Sequence, residues 1–208
     1  MTDALPQTKL TVENSRERVI IHSPGSKDSS LADASGGFDR EWFMGRWGVV
    51  WSTLPMWKDK KDVVITYTSL PDTQKNEAFD SCVEYRKRSA ADGSKPSTVK
   101  GREILTPHTN GATFDWRGKG LLFFVSSHWE VLGYGKDEES SLQWAVTFFS
   151  KTLFTPAGID IYLRSTSSSP TSETRAQLRS EIVEALYRVD DPFVAELAKS
   201  GFEIPGTV

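Results

Sequence analysis

The stretch Gly45-Arg46-Trp47-Gly48-Val49-Val50-Trp51-Ser52-Thr53-Leu54 decides the fold, because at Gly45 the spacing of apolar residues changes to the period of a β-strand. Residues 38–44, just before it, carry large apolar side chains at near-helical spacing, and we expect one short turn of helix there. Residues 1–37 are polar and rich in Ser, Asp and Gly. Such a segment buries too little apolar surface to offset the cost of ordering its backbone, so it predicts a disordered or loosely docked arm.

Runs with strand character follow one another from Gly45, separated by residues typical of turns. They span residues 47–54, 63–69, 79–87, 98–105, 112–116, 121–134, 142–150 and 159–165. The sixth run is long for one strand and can divide at Ser126-Ser127. Roughly eight strands with no helices between them predict an all-β fold, an up-and-down antiparallel sheet closed into an eight-stranded barrel. Such a barrel has room inside for one small ligand.

Helices are expected only at the end of the chain. Ser169-Pro170 looks like a helix start, and an apolar stripe follows at Leu178, Ile182, Ala185 and Leu186. This stripe predicts a helix packed outside the barrel, and Asp191-Pro192 opens a second short helix. The chain therefore divides into the arm (1–37), the barrel (38–168) and the C-terminal helices and tail packed on the barrel (169–208).

Composition excludes several classes of partner. The chain has 208 residues and a formal net charge of -3 at pH 7, which gives no long-range attraction to nucleic acid or to an anionic membrane. It has one cysteine, Cys82, no apolar run long enough for a transmembrane helix, and no signal-like apolar core in its first twenty residues. We expect a cytoplasmic protein. No phosphate-binding loop and no metal-ligand spacing is present, so we expect no cofactor and no metal, and the oligomeric state is left open.

The ends of the strand region resemble those of a known family. Gly45-Arg46-Trp47 begins the first strand after a turn-like segment, and Arg164 ends the last strand before a helix. This arrangement, over about residues 38–186, resembles the lipocalin family, and most closely its bacterial and fungal branch. The resemblance implies that Gly45, Trp47 and Arg164 form the closed floor of the barrel, with the guanidinium over the indole ring. It also implies a setting in lipid handling or secondary metabolism.

Strand alternation extends this floor into predictions about the interior. If Trp47 points inward, Val49, Trp51 and Thr53 do so as well. If Arg164 shares the floor, Asp160 and Tyr162 face the interior and the apolar residues between them face the helix. Asp160 is then a candidate acid or base and Tyr162 a candidate hydrogen-bond donor. The alternative is that Asp160, close to Gly158, lies at the open rim in water.

Two further sets of residues carry alternatives. His128 and Glu130 share one strand face, with Trp129 on the other, and form either an acid/base pair or a surface pair. The other polar residues of the strands, including Glu103, are interpreted as solvated faces. Aromatic residues are candidates for the wall of a pocket, or simply fill the core: Trp51, Tyr67, Phe114, Trp116, Phe124 and Phe148.

The sequence thus supports two functions of different classes. The first is binding of a small hydrophobic molecule in the barrel, such as an intermediate of lipid, polyketide or terpenoid biosynthesis. The second is a cofactor-free enzyme, an isomerase, cyclase or dehydratase, with Asp160, Tyr162, His128 and Glu130 as candidate catalytic residues. A barrel with a filled interior and a structural role is the third option. Polar groups deep inside the barrel favour the enzyme, and an apolar interior favours the carrier.

Overall fold

Eight consecutive antiparallel strands make up most of the structure, a computed structural model that describes residues 19–71, 77–137, 139–153, 155–166 and 170–206. Each strand pairs with the next, and the eighth pairs with the first, so the sheet closes and leaves no open edge. The prediction of a closed eight-stranded up-and-down barrel is confirmed. The strands are β1 (Gly45–Ser52), β2 (Lys60–Ser69), β3 (Ala78–Lys87), β4 (Ser97–Leu105), β5 (Thr113–Gly118), β6 (Ser126–Asp137), β7 (Leu142–Phe149) and β8 (Gly158–Ser165).

The long sixth run of the sequence divides where its serine pair predicts. Strand β6 begins at Ser126, and a single 3-10 turn (Gly120–Leu122) occupies the first part of the run. That part belongs to the connection between β5 and β6, so no additional barrel strand forms there.

A short helix and a buried tryptophan close one end of the barrel. Helix α1 (Arg40–Phe43) begins at Asp39, whose carboxylate accepts hydrogen bonds from two backbone N–H groups of the first turn. Trp47 is fully buried above it, and its indole N–H donates to the carbonyl of Phe43 at 2.8 Å. The ring fills the floor, and its one polar group is satisfied by the helix end.

Arg164 ties the end of β8 to this floor. Its guanidinium carbon lies 3.9 Å from the centre of the Trp47 ring, close enough for a cation–π interaction. Its nitrogens donate to Gln143 Oε1 at 2.6 Å, to the carbonyl of Met44 at 2.5 Å and to the carbonyl of Trp42. One side chain therefore joins the last strand to the connection between α1 and β1.

Two helices follow the barrel, as predicted, and pack on its outer wall. Helix α2 (Ser172–Tyr187) buries its apolar stripe against the outward-facing residues of β8, and α3 (Pro192–Ala198) packs beside it. Helix α2 begins later than predicted: Thr171 caps it by accepting from the N–H of Thr174, and Ser169 lies outside the described residues. Within the described residues no helix combines the length and the apolarity needed to cross a bilayer.

The C-terminal tail enters the barrel wall, whereas the sequence predicts that it packs on the outside. A short strand, β9 (Phe202–Glu203), pairs with the second half of β1, beyond the point where β1 leaves β2. The N–H of Ile204 donates to the carbonyl of Val50 at 3.0 Å, and the Ile204 side chain is buried in the interior core. Strand β9 therefore fills the gap between β1 and β2.

The described part of the N-terminal arm, residues 19–37, lies against the barrel. The N–H of His22 donates to the carbonyl of Leu132 at 2.8 Å, and the Tyr134 hydroxyl donates to the carbonyl of Ser30 at 2.9 Å. Leu31 is buried and supplies the apolar contact that the composition of this segment does not suggest. Residues 1–18 lie outside the described residues, and the domain boundaries at residues 38 and 169 stay predictions.

Candidate ligand-binding site in the barrel

A cavity of about 290 Å³ lies inside the barrel, on the side away from the Trp47 floor. Residues from the β1–β2, β5–β6 and β7–β8 connections line its outer part, which identifies this end as the open one. The wall is mainly aromatic and aliphatic, and its aromatic members are Trp57, Tyr67, Tyr85, Trp116, Trp129, Phe149 and Tyr162. Of the aromatic residues predicted to form the wall, Tyr67 and Trp116 line this cavity.

Closely packed aromatic rings separate the cavity from the floor. The Phe114 and Trp129 ring centres are 4.8 Å apart, those of Phe79 and Phe114 are 5.0 Å apart, and those of Tyr67 and Phe43 are 4.9 Å apart. Phe114 is fully buried among these rings. It fills the closed end and does not line the cavity.

Exposed apolar side chains surround the open end. Leu121 and Phe123 belong to the β5–β6 connection, Met56 to the β1–β2 connection and Leu153 to the β7–β8 connection. Each exposes half or more of its side chain to solvent. Apolar groups gathered at the mouth of a cavity are typical of an entrance for an apolar molecule.

Asp160 is the first of two carboxyl groups that face the cavity. It is 1 % exposed, which excludes a solvated position at the rim. The Ser52 hydroxyl donates to Asp160 Oδ1 at 2.5 Å, and the Trp57 indole N–H is 3.4 Å from Oδ2. Burial raises the pKa of Asp160 to about 7, and these two hydrogen bonds offset only part of that rise.

Tyr162 faces the same interior, two residues along β8. Its hydroxyl is buried and makes no hydrogen bond to the part of the chain that the structure describes, although it lies next to the hydroxyls of Thr147 and Tyr67. Burial and the nearby carboxylate of Asp160 raise the pKa of this phenol, so it stays neutral. A buried hydroxyl of this kind usually meets a ligand or an ordered water.

Glu103 is the second carboxyl group in the cavity, and its interpretation as part of a solvated face is wrong. It is 2 % exposed, and the Trp129 indole N–H donates to its Oε2 at 2.7 Å. Burial raises its pKa to about 7. Alternation along β4 carries the signal for this position, because Glu103 shares a face with Val99 and Leu105, whereas the basic residues of the strand alternate with them.

His128 and Glu130 lie outside the barrel, so their prediction as catalytic residues acting inside it is wrong. Trp129 takes the inward position between them. His128 Nδ1 is 2.8 Å from Asp115 Oδ1 on the outer surface. Glu130 accepts the N–H of Gly25 at 2.7 Å beneath the N-terminal arm, and burial there raises its pKa. Neither residue lines the cavity that contains Asp160.

A β-bulge turns Trp51 away from the cavity, which corrects its prediction as a wall residue. Val49 pairs with Tyr162, but the register then shifts by one residue, so that Trp51 pairs with Ile161 and Ser52 with Asp160. After the bulge Ser52 faces inward and Trp51 packs in the outer apolar core, against Gly201. Because of the bulge, the hydroxyl of Ser52 faces the cavity in place of the indole of Trp51, and this hydroxyl contacts Asp160.

Phe148 and Phe124 also fail as wall residues. Phe148 pairs with Glu130 on the outer face and packs against Phe193, with the two ring centres 6.3 Å apart. Its neighbour Phe149 takes the inward position. Phe124 belongs to the β5–β6 connection, where its side chain is 64 % exposed. Phe148 fails because register, and not aromatic content, decides which face of a strand a side chain occupies, and Phe124 fails because it lies in a connection and not in a strand.

No metal site is formed by the described residues: nowhere among them do three or more His, Cys, Asp or Glu side chains come together in a way that could hold an ion.

Comparisons with known proteins give matches in structure alone. No protein-family model and no curated protein matches the sequence. Lobster apocrustacyanin A1 superposes with a TM-score of 0.53 at 12 % identity, over 92 % of this chain and 93 % of that chain. H1 crustacyanin from the lobster Homarus americanus superposes with a TM-score of 0.52 at 13 % identity, over 91 % of this chain and 89 % of that chain. Insecticyanin from the tobacco hornworm Manduca sexta superposes with a TM-score of 0.50 at 12 % identity, over 91 % of this chain and 90 % of that chain.

These likenesses agree with the architecture described above. They extend over nine-tenths of both chains and include the closed barrel of eight strands and the helix that follows it. The three proteins named above come from lobsters and the tobacco hornworm, and the fungal or bacterial type expected from the sequence stays a prediction. The chain has the lipocalin fold.

Proposed function

We propose that the protein binds one small, largely apolar molecule inside the barrel. The cavity of about 290 Å³ is the observation that carries this proposal. An empty apolar cavity of about 150 Å³ in a protein core is large enough to bind benzene, so this space, which has about twice that volume and is open at one end, suits a molecule of one to three rings. Eight-stranded barrels of the lipocalin type hold one small ligand in this position.

The apolar wall supplies the binding free energy. Burial contributes about 25 cal/mol per Å² of apolar surface, so a ligand that buries about 200 Å² gains about 5 kcal/mol before the cost of association. The exposed apolar residues at the mouth, Leu121 and Leu153 among them, give such a ligand a first contact. Asp160, Glu103 and Tyr162 supply the few polar contacts that orient it.

Binding is tested with N-phenyl-1-naphthylamine, an uncharged probe that fluoresces in apolar sites. The Val83→Phe variant places a ring in the cavity, and Cys82→Phe places the same ring on the other face of β3. We expect saturable binding by the wild type and by Cys82→Phe, and loss of binding in Val83→Phe. Absence of binding by the wild type, or full binding by Val83→Phe, refutes the proposal. Mass spectrometry of the purified protein under native conditions then identifies any ligand it carries.

A second function, cofactor-free catalysis on the bound molecule, is favoured by one observation: Asp160 lies in the cavity with a pKa of about 7. A carboxyl group with that pKa exchanges protons efficiently at neutral pH, and Tyr162 offers an unpaired hydroxyl beside it. The test is conversion of the molecule identified by mass spectrometry, measured for Asp160→Asn and Tyr162→Phe. Equal conversion by both variants and the wild type excludes these residues from catalysis. The biosynthetic setting and the cytoplasmic location stay predictions.

A further inference from the structure

The groups around Asp160 all donate hydrogen bonds to it. The backbone N–H of Leu54 donates to Ser52 Oγ at 2.8 Å, which directs the proton of that hydroxyl toward Asp160. The other neighbour, the Trp57 indole N–H, has no capacity to accept. The surroundings of Asp160 are therefore arranged for a carboxylate that accepts.

Glu103 has the same arrangement on another strand. The Trp116 indole N–H donates to Ser81 Oγ at 3.2 Å, and the Ser81 hydroxyl lies beside Glu103, where it favours the ionised carboxylate. The Trp129 indole N–H donates directly to Glu103. Both carboxyl groups thus have a serine oriented by an obligate donor, together with an indole N–H.

The cavity provides no positive charge to balance these carboxylates. Strands β4 and β8, which carry Glu103 and Asp160, are four strands apart in a closed barrel of eight, so the two residues lie on opposite walls. Among the described residues that line the cavity there is no Lys, Arg or His. A buried carboxylate without a positive partner is costly, and a ligand that brings a cation removes that cost.

We infer that the ligand is a small organic amine, whose ammonium nitrogen donates a hydrogen bond to one of the two cavity carboxylates and whose apolar body lies along the aromatic wall. This inference rests on the proposed binding function. The rings of Tyr67 and Trp129 line the same space and give the apolar body of the amine an aromatic surface to pack against. Because carboxylates lie on both walls, a second donor at the far end of the ligand also finds an acceptor.

Isothermal titration calorimetry at pH 8 with three probes of one shape tests the inference. They are 2-phenylethylamine, which is a cation, 2-phenylethanol, which is neutral, and phenylacetate, which is an anion. We expect the amine to bind at least tenfold more tightly than the alcohol, and the anion to bind most weakly. The double variant Glu103→Gln/Asp160→Asn is expected to lose the preference for the amine while its affinity for the alcohol stays within twofold. Asp115→Asn, on the outer face, is the matched control and should change neither affinity.

The outcomes separate this inference from the proposed function. If N-phenyl-1-naphthylamine does not bind, the proposed function fails and the inference fails with it. If that probe binds but the amine and the alcohol displace it equally well, the inference alone is refuted. A preference for the amine that persists in the double variant also refutes it. Probe binding by the double variant shows that its barrel is folded, so loss of the preference then reports on the carboxylates.

The pH dependence provides a second readout. Burial raises the pKa of Glu103 and of Asp160 to about 7, so each of them becomes protonated when the pH falls from 8 to 5.5. For each carboxylate that must be ionised to bind the amine, the affinity for the amine should fall about thirtyfold over this range. Alcohol binding should stay constant over this range, and an equal loss for both probes contradicts the inference. The other titratable and charged groups near the pair are Tyr67, Tyr85 and Tyr162 in the wall, Lys60 over the Tyr85 ring, and Asp80 near Glu103.

Discussion

The free energy of unfolding should fall between pH 5 and pH 8, because the barrel buries two ionisable carboxyl groups. The pKa of Asp160 rises from 3.8 to about 7 on folding, and that of Glu103 rises from 4.5 to about 7. One pKa unit corresponds to about 1.4 kcal/mol, so proton linkage of these two residues over this range amounts to about 5 kcal/mol, divided almost equally between them. Glu130 outside the barrel, whose pKa burial also raises, acts in the same direction. A loss of that size is a large fraction of the stability of an ordinary domain.

The sign follows from the direction of each shift. An acid with a raised pKa in the folded state gives its full stabilisation below its unfolded pKa, near 4, and loses it progressively as the pH rises to about 7. Asp28, Asp80 and Asp92 have lowered pKa values, so the stability they add is lost only as the pH falls below 4. They are ionised in both states from pH 5 to pH 8, and this range isolates the raised groups.

Asp160→Asn tests this reasoning directly. The amide keeps an oxygen for the Ser52 hydroxyl but cannot ionise, so the variant should lose the part of the pH dependence that comes from Asp160. It should match the wild type at pH 5 and exceed it by about 2–3 kcal/mol at pH 8. Urea unfolding followed by tryptophan fluorescence at pH 5, 6, 7 and 8 measures this, with the exposed Asp59→Asn as control. A flat profile for the wild type, or an unchanged slope for Asp160→Asn, would refute the argument.

Four other predictions test the floor, the bulge, the tail and the helix cap. Arg164→Met removes three hydrogen bonds at the floor and should cost about 3 kcal/mol in urea unfolding; a cost below about 1 kcal/mol would contradict the role given to this side chain. Trp51→Leu should leave the affinity for N-phenyl-1-naphthylamine unchanged, whereas Trp116→Leu should weaken it several-fold; the reverse order would place Trp51 inside the cavity. Gly201→Ala puts a methyl group into the Trp51 ring and should destabilise the protein by about 2 kcal/mol in thermal unfolding, and a neutral result would show that the tail yields easily. Thr171→Ala removes the cap of α2 and should cost about 1 kcal/mol, with no change in probe binding.

The strands of the barrel are predictable because alternation and turn residues act locally. The run predicted at residues 98–105 becomes β4 (Ser97–Leu105), and the run at 142–150 becomes β7 (Leu142–Phe149). The helix stripe is predictable for the same reason, since its period is set by the helix itself. Only the boundaries shift, by one to three residues in these elements, where caps and turns compete with pairing.

The residues that face the cavity are harder to predict, because their direction depends on pairing between distant strands. One bulged residue, Val50, exchanges the directions of Trp51 and Ser52, and nothing in the spacing of that strand marks it. The bulge becomes visible only in the register of β1 against β8. Glu103 is the opposite case, because alternation within β4 does predict its inward direction. The usual solvation of carboxylates predicts a surface position for Glu103, and the cavity is an exception to that preference.

The short strand that the tail inserts beside β1 has a consequence for how the protein is made. Ile204 contacts Val50 across more than 150 residues of chain, and contacts of such high order form late in folding. On a ribosome, all eight strands of the barrel emerge before the segment that fills the gap between β1 and β2. In a nascent chain that has not reached Ile204, the gap between β1 and β2 is therefore still open. Such a chain would retain a bound molecule only after synthesis has passed this residue.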